Sequence, residues 1–197
     1  YALFLSVMGR QDEALAEVAK QGDLDPINRR NTLLWKAAIL AGARRFDDAL
    51  QVYQEVKALD PERDIQPIGL AYAYAGKGMY KEAAGYYQKA ADQFGGEEQY
   101  SQPLVYLAAT YAKIPEKRND AQRILKKIDS MTGYKSPALL AAAYSSLGDN
   151  DRALELLERA YIERDLLLRY IGTAYEYDQL RNSSRFIDLT RRIGVAQ

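Results

Sequence analysis

The chain has 197 residues, and its 27 Lys+Arg balance 27 Asp+Glu, which argues against nucleic acid or an anionic membrane surface as its main partner. It has no Cys and no His, so disulfides, thiolate nucleophiles, Cys-containing zinc sites and the commonest general base and metal ligand are all absent. With 48% hydrophobic residues, 16 Tyr and 6 Pro the chain is folded rather than disordered, and no apolar run approaches the roughly 20 residues that span a bilayer.

The opening Tyr1–Met8 carries Leu3, Phe4, Leu5 and Val7 and reads as the later turns of a helix. It is too short, and lacks the basic start, for a signal peptide. The expectation is an excised or processed piece of a longer polypeptide, whose open apolar face self-associates or is covered by preceding repeats. A turn at Met8-Gly9-Arg10 leads into a second helical stretch ending near Pro26. The same order then recurs. Its turns include Gly78-Met79-Tyr80 and Gly148-Asp149-Asn150, and Pro61 repeats the stop at Pro26. Pro67 and Pro103 fall near helix starts, and Ser136-Pro137 sets a capping hydroxyl before a first-turn proline. No proline interrupts a proposed helix interior, so the chain reads as all-α.

The period is explicit. Ala14, Ala49, Ala83, Ala121 and Ala153 are separated by 35, 34, 38 and 32 residues. Twelve residues before three of them stand Ala37, Ala71 and Ala141, and nine before stand Leu5, Leu40, Tyr74 and Tyr144. Antiparallel helices cross closely only where small side chains face each other, and bulky residues such as Tyr53, Tyr87 and Leu157 fill the space between successive pairs.

These positions resemble the tetratricopeptide repeat, a helix–turn–helix unit of about 34 residues that stacks into a right-handed superhelical solenoid of antiparallel helix pairs. The second unit carries Leu33, Ala37, Leu40, Phe46, Ala49, Tyr53 and Pro61. The third carries Leu70, Ala71, Tyr74, Gly78, Tyr80, Ala83, Tyr87 and Ala90, and the fifth Ala141, Tyr144, Gly148, Ala153, Leu157 and Ala160. The fourth departs, with a longer turn at Ile114–Arg118 and a longer linker at Phe94–Glu98; the first lacks most of its opening helix. The expected division is five units over residues 1–163 and capping helices over 164–197. The closing stretch, with Leu180, Arg181, Arg185, Phe186, Leu189, Arg191, Arg192 and Gly194, resembles the tail after such repeats in bacterial multidomain regulators. Those include winged-helix regulators, adenylate cyclases and serine/threonine kinases.

The resemblance implies that first helices line a concave face where partners dock. The expected groove residues are Leu34, Trp35, Ala38, Ile65, Ile68, Tyr72, Tyr106, Ala109 and Lys113, with Ala41, Ala75, Val105, Ala112, Ala138, Ala142 and Ser145 also turned inward. The Lys/Arg/Asn set with which one subclass grips a C-terminal carboxylate is missing. Small walls with aromatic anchors suit an apolar or amphipathic segment. The alternative is that the small residues only permit curvature and the rings pack between helices.

Other features carry less. Gly76-Lys77-Gly78 lacks the glycine spacing and preceding strand of a phosphate loop and reads as a turn. Ser145-Ser146 and Ser183-Ser184 have no base or elbow motif, and capping or solvent exposure accounts for them. Asp47-Asp48 and Glu97-Glu98 point apart on a helix and favour its dipole instead. Arg29-Arg30, Arg44-Arg45, Lys126-Lys127 and Arg191-Arg192 are scattered and locally balanced by acids.

The expected function is therefore a non-catalytic interaction module, without cofactor or metal, that binds a helical or extended segment of a protein partner. It belongs on this reading to a bacterial signalling or transcription regulator. The alternatives are a free-standing adaptor of a secretion or envelope system and, against the charge balance, a helical-repeat nucleic-acid binder. The lack of Cys fits cytoplasm and periplasm alike, with cytoplasm favoured.

Overall fold

The computed structural model describes residues 1–61, 67–94 and 101–195, and among these it contains helices and no strand. The helices come in pairs: α1 (Ala2–Val7) with α2 (Gln11–Leu24), α3 (Arg29–Gly42) with α4 (Phe46–Leu59), and α5 (Pro67–Gly76) with α6 (Tyr80–Phe94). Then come α7 (Gln102–Tyr111) with α8 (Arg118–Ser130) and α9 (Pro137–Leu147) with α10 (Asn150–Ile162). Each pair packs on the next, giving an all-α repeat of antiparallel helix pairs.

The periodic alanines show why the pairs close. Ala14, Ala37, Ala49, Ala71, Ala83, Ala121, Ala141 and Ala153 are all 0% exposed, each lying where two helices cross. In the fourth unit the fully buried small residue is Ala108, one position earlier than the twelve-residue spacing elsewhere, because the turn before α8 is longer. Tyr53, Tyr87 and Leu157 are buried between pairs. The apolar core is accordingly a chain of clusters along the solenoid, the largest at its C-terminal end.

The turns repeat as closely as the crossings. Four carry the same helix-ending bond, from the amides of Arg10, Arg45, Met79 and Asp149 to the carbonyls of Leu5, Leu40, Tyr74 and Tyr144, at 2.9–3.0 Å. These acceptors are the large residues of the nine-residue spacing. The bond needs a left-handed residue just before its donor. Gly9, Gly78 and Gly148 supply it, and in the second unit Arg44 does so with φ 60°. The fourth turn takes another route, burying Ile114 and running through a short 3₁₀ turn, Pro115–Lys117. Ser136 caps α9 as its sequence suggests, its Oγ accepting the Leu139 amide at 3.1 Å.

Past α10 the chain takes two 3₁₀ stretches, Leu166–Tyr170 and Tyr175–Leu180, before α11 (Ser184–Ile193). α11 seats Phe186 and Leu189 in the C-terminal core, and Arg185 reaches Glu158 of α10 at 3.1 Å. The 3₁₀ segment lies instead against the first helices of the pairs, on the inner face of the solenoid.

Candidate functional site

The inner face encloses a cavity of about 470 Å³. Its walls come from α1 (Leu3, Val7), α3 (Ala38, Ala41), α5 (Ile68, Tyr72), α7 (Gln102, Tyr106) and α9 (Leu139, Ala142). Its roof is the 3₁₀ segment, through Leu167, Tyr170, Thr173, Ala174, Glu176 and Tyr177. A volume of this size falls within the range of ligand pockets. Small side chains at positions 38, 41 and 142 leave the space open, while Tyr72 and Tyr106 line it with rings.

Of the residues expected to line the groove, Ala38, Ile68, Tyr72 and Tyr106 meet in this cavity. Ala109 and Lys113 lie with Tyr106 around a second, nearly filled space of about 10 Å³ beneath Tyr175 and Glu176. Leu34 is buried in the core between pairs, and Trp35 is 45% exposed and outside both spaces. Ile65 lies outside the described residues.

The roof is fixed by polar contacts to backbone as much as to side chains. Asp165, itself buried, accepts the Ala138 amide at 3.0 Å, the Ser136 hydroxyl at 2.5 Å and the Leu167 amide at 2.9 Å, tying the start of the segment to the N-terminus of α9. Ser145 donates to the Glu176 carbonyl at 2.7 Å, and the Tyr177 hydroxyl donates to the Ala138 carbonyl at 2.7 Å. Ser145 and Ser146 are thus buried, correcting the expectation of capping or solvent exposure; the Ser145 hydroxyl serves the incoming segment.

At the far side the segment meets the second and third units. Arg44 grips Asp178 with both guanidinium arms, at 2.9 and 2.5 Å, and its Nε donates to the Thr173 carbonyl at 3.3 Å. The Tyr175 ring lies 4.8 Å from Tyr72 and meets Phe46 edge-on at 5.9 Å. Arg181 braces the bend from within, donating to the carbonyls of Gly172 and Ala174 at 2.9 and 3.0 Å and to Asp178 at 2.8 Å.

Electrostatics follow burial. The phenols of Tyr72, Tyr87, Tyr106, Tyr175 and Tyr177 are pushed well above their ordinary value by loss of water, so all stay neutral. Burial also raises the Glu176 carboxyl to about 7, and its Oε2 has no hydrogen-bond partner. Burial lowers the Lys113 ammonium, with Arg118 adding to the effect. For Asp178 burial pulls upward, but the bonds from Arg44 and Arg181 outweigh it and hold its carboxyl below the usual value.

Arg44, Phe46 and Ser145 therefore belong to the face although only Ser145 was expected to turn inward. Arg44 had a signal in the sequence: it stands where the comparable turns of the first, third and fifth units carry Gly. Among the described residues no three His, Cys, Asp or Glu side chains gather as metal ligands. Nor is any helix there long and apolar enough to cross a membrane.

Residues 138–169, covering α9, α10 and the start of the roof, match the family model described as tetratricopeptide repeat. No curated protein matches the chain. Repeats of this kind are protein–protein interaction modules and as a rule non-catalytic; stacked on neighbours, they expose a curved surface suited to that work.

Proposed function

We propose that this chain is a non-catalytic scaffold whose inner face binds a helical or extended segment of a partner protein. One observation carries the reading: the face already holds such a segment, the chain's own residues 165–181. It does so through carbonyl contacts from Arg44 and Ser145 that any backbone could receive, and through aromatic contacts that select side chains. The residues that support binding are Ala38, Ile68, Tyr72, Tyr106, Ala109 and Lys113, joined by Arg44, Phe46 and Ser145. Panning a random peptide display library against the chain tests this. The expected result is binders that Tyr72→Ala and Tyr106→Ala weaken at least tenfold; binders indifferent to both changes would overturn it.

The division into five repeat units over residues 1–163 and a closing segment over 164–197 is part of the same proposal, as is membership of a bacterial regulator. The regulator reading rests on the resemblance of the closing segment. The upstream reading frame tests it: a winged-helix, cyclase or kinase domain supports a regulator, and a lipoprotein or secretion signal supports an adaptor instead. Self-association through the first helix is favoured by Phe4, 60% exposed on α1. Sedimentation that does not change with concentration would count against it.

A further inference from the structure

We infer that Arg44, Phe46 and Tyr72 form a receptor for a partner segment in which an aromatic residue is followed three positions later by an acid, and that Tyr175 and Asp178 are a resident copy of that pattern which the partner displaces. The inference rests on the proposed binding of a protein segment and specifies the chemistry of that segment.

Three observations carry it. The first is the backbone of Arg44. A non-glycine residue at φ 60° is strained, and the equivalent turns at Gly9, Gly78 and Gly148 avoid the strain with glycine. The side chain that replaces hydrogen here holds an acid in a two-pronged grip and takes a backbone carbonyl beside it. Strain kept at a residue whose side chain makes such contacts is the pattern of a binding position. The second is the aromatic wall. Phe46 and Tyr72 are half-buried on different helices, and the Tyr175 ring packs against both. The third is that the resident segment is held unevenly. Ile171, Tyr177 and Leu180 are buried in the core around α9 and α10, whereas Tyr175 packs on the separate cluster of the third unit and the Arg44 and Asp178 side chains are 40% and 47% exposed. The contacts of Thr173, Tyr175 and Asp178 with the second and third units can therefore open while the core around α9 stays closed. Charge agrees with the pattern, since Arg44 on the wall faces an acid.

A tethered segment competes at an effective concentration in the millimolar range when its linker is short. The wild-type chain should therefore bind a free copy of its own segment poorly. The test is a fluorescein-labelled peptide copying residues 171–180, titrated by anisotropy into the full chain and into Tyr175→Ala/Asp178→Ala, which clears the receptor and leaves its wall intact. The expected result is at least tenfold tighter binding to the cleared chain. That gain should vanish when the peptide's own Tyr175 and Asp178 equivalents are Ala, or when Arg44→Gly is added. Equal binding to both chains, or binding indifferent to the peptide's tyrosine and acid, would overturn the inference. If the double variant loses its helical circular dichroism, Asp178→Ala alone, at an exposed position, replaces it with at least a threefold gain expected. Panning random peptides on the cleared chain separates the two readings. Enrichment of an aromatic with an acid three positions on supports both, and unrelated sequences dependent on Tyr106 overturn only this inference. No binder of any kind overturns both.

Discussion

The Tyr53 hydroxyl fills the space that a side chain on Gly69 would need: a β-carbon there would collide with Oη and lie 3.2 Å from Cζ. Tyr53 comes from α4 and Gly69 from α5, so the glycine sets how closely the second and third units approach. Two effects oppose each other in Gly69→Ala. Alanine favours a helix by about 0.5–1 kcal/mol, whereas forcing atoms into a filled site costs about 1–3 kcal/mol. Tyr53 is buried and cannot swing into water, so the clash wins. Gly69→Ala is expected to lower unfolding stability by about 1 kcal/mol or more, and adding Tyr53→Phe, which removes the oxygen, should restore much of it. Urea denaturation of the two single variants and the pair checks this; a double variant no better than Gly69→Ala would show that the close approach is not limiting.

Asp165 is the hinge on which the closing segment turns back. Its carboxylate is the acceptor for the buried Ala138 amide and for the Ser136 hydroxyl. Asp165→Ala would leave that amide without its partner and strip a charged acceptor from the start of α9, at a cost of about 2–3 kcal/mol. Asp165→Asn keeps one acceptor oxygen and should lose less. The order wild type, Asn, Ala in denaturant midpoint is the expected outcome; equal midpoints for Asn and Ala would remove the carboxylate from this role.

The crossings were legible in the sequence because they follow from a rule with one solution: where helices touch, only a very small side chain fits, and Ala recurs at the required spacing. The inner face was legible in part. Ala38, Ile68, Tyr72 and Tyr106 follow from helical phase on first helices, and they line the cavity. Leu34 and Trp35 show the limit, since adjacent positions on one helix point about 100° apart and Leu34 falls to the core between pairs while Trp35 turns to solvent. The course of residues 165–181 was not legible. It depends on contacts between residues 27 to 134 positions apart, from Asp165 with Ala138 to Arg44 with Asp178, and no local pattern encodes them. Ser145 follows the same logic, because its hydroxyl meets its partner only when that segment arrives.

Glu176 makes the docked segment sensitive to pH. Its carboxyl faces Tyr72 of α5, Tyr87 of α6, Tyr106 of α7 and Lys113 after it, with Tyr175, Tyr177, Asp178 and Arg44 nearby. The phenols stay neutral and Asp178 stays charged near neutral pH, so the titrating carboxyl is Glu176. Its folded value of about 7 lies above the ordinary 4.5, which means the folded chain holds a proton that the unfolded chain releases. The associated stability is complete below about pH 4.5, is lost as pH rises towards 7, and changes no further above that, a loss of about 3 kcal/mol. Glu176→Gln mimics the protonated form and should flatten the curve across this window. Denaturation of both chains at pH 5, 6, 7 and 8 checks it; the same slope in the Gln variant would assign the dependence elsewhere.

Arg44→Gly separates the strain at this turn from the contact it supports. Returning glycine to a left-handed position relieves about 1–2 kcal/mol. The ion pair lost in exchange is exposed on both sides, and such pairs are worth about 0–1 kcal/mol. Global stability should therefore stay level or rise slightly, which no simple loss of a contact would produce. Locally the opposite should hold, because Thr173 and Asp178 lose their tie to the second unit. Amide hydrogen exchange over residues 172–178 is expected to speed up several-fold while exchange in α3, α4 and α9 does not. Arg44→Lys is the control: it keeps the strained backbone but offers one ammonium in place of a two-pronged grip, so it should lose both stability and protection. If Gly destabilises the whole chain as Lys does, the strain is not there to be relieved and Arg44 is held in place for folding alone.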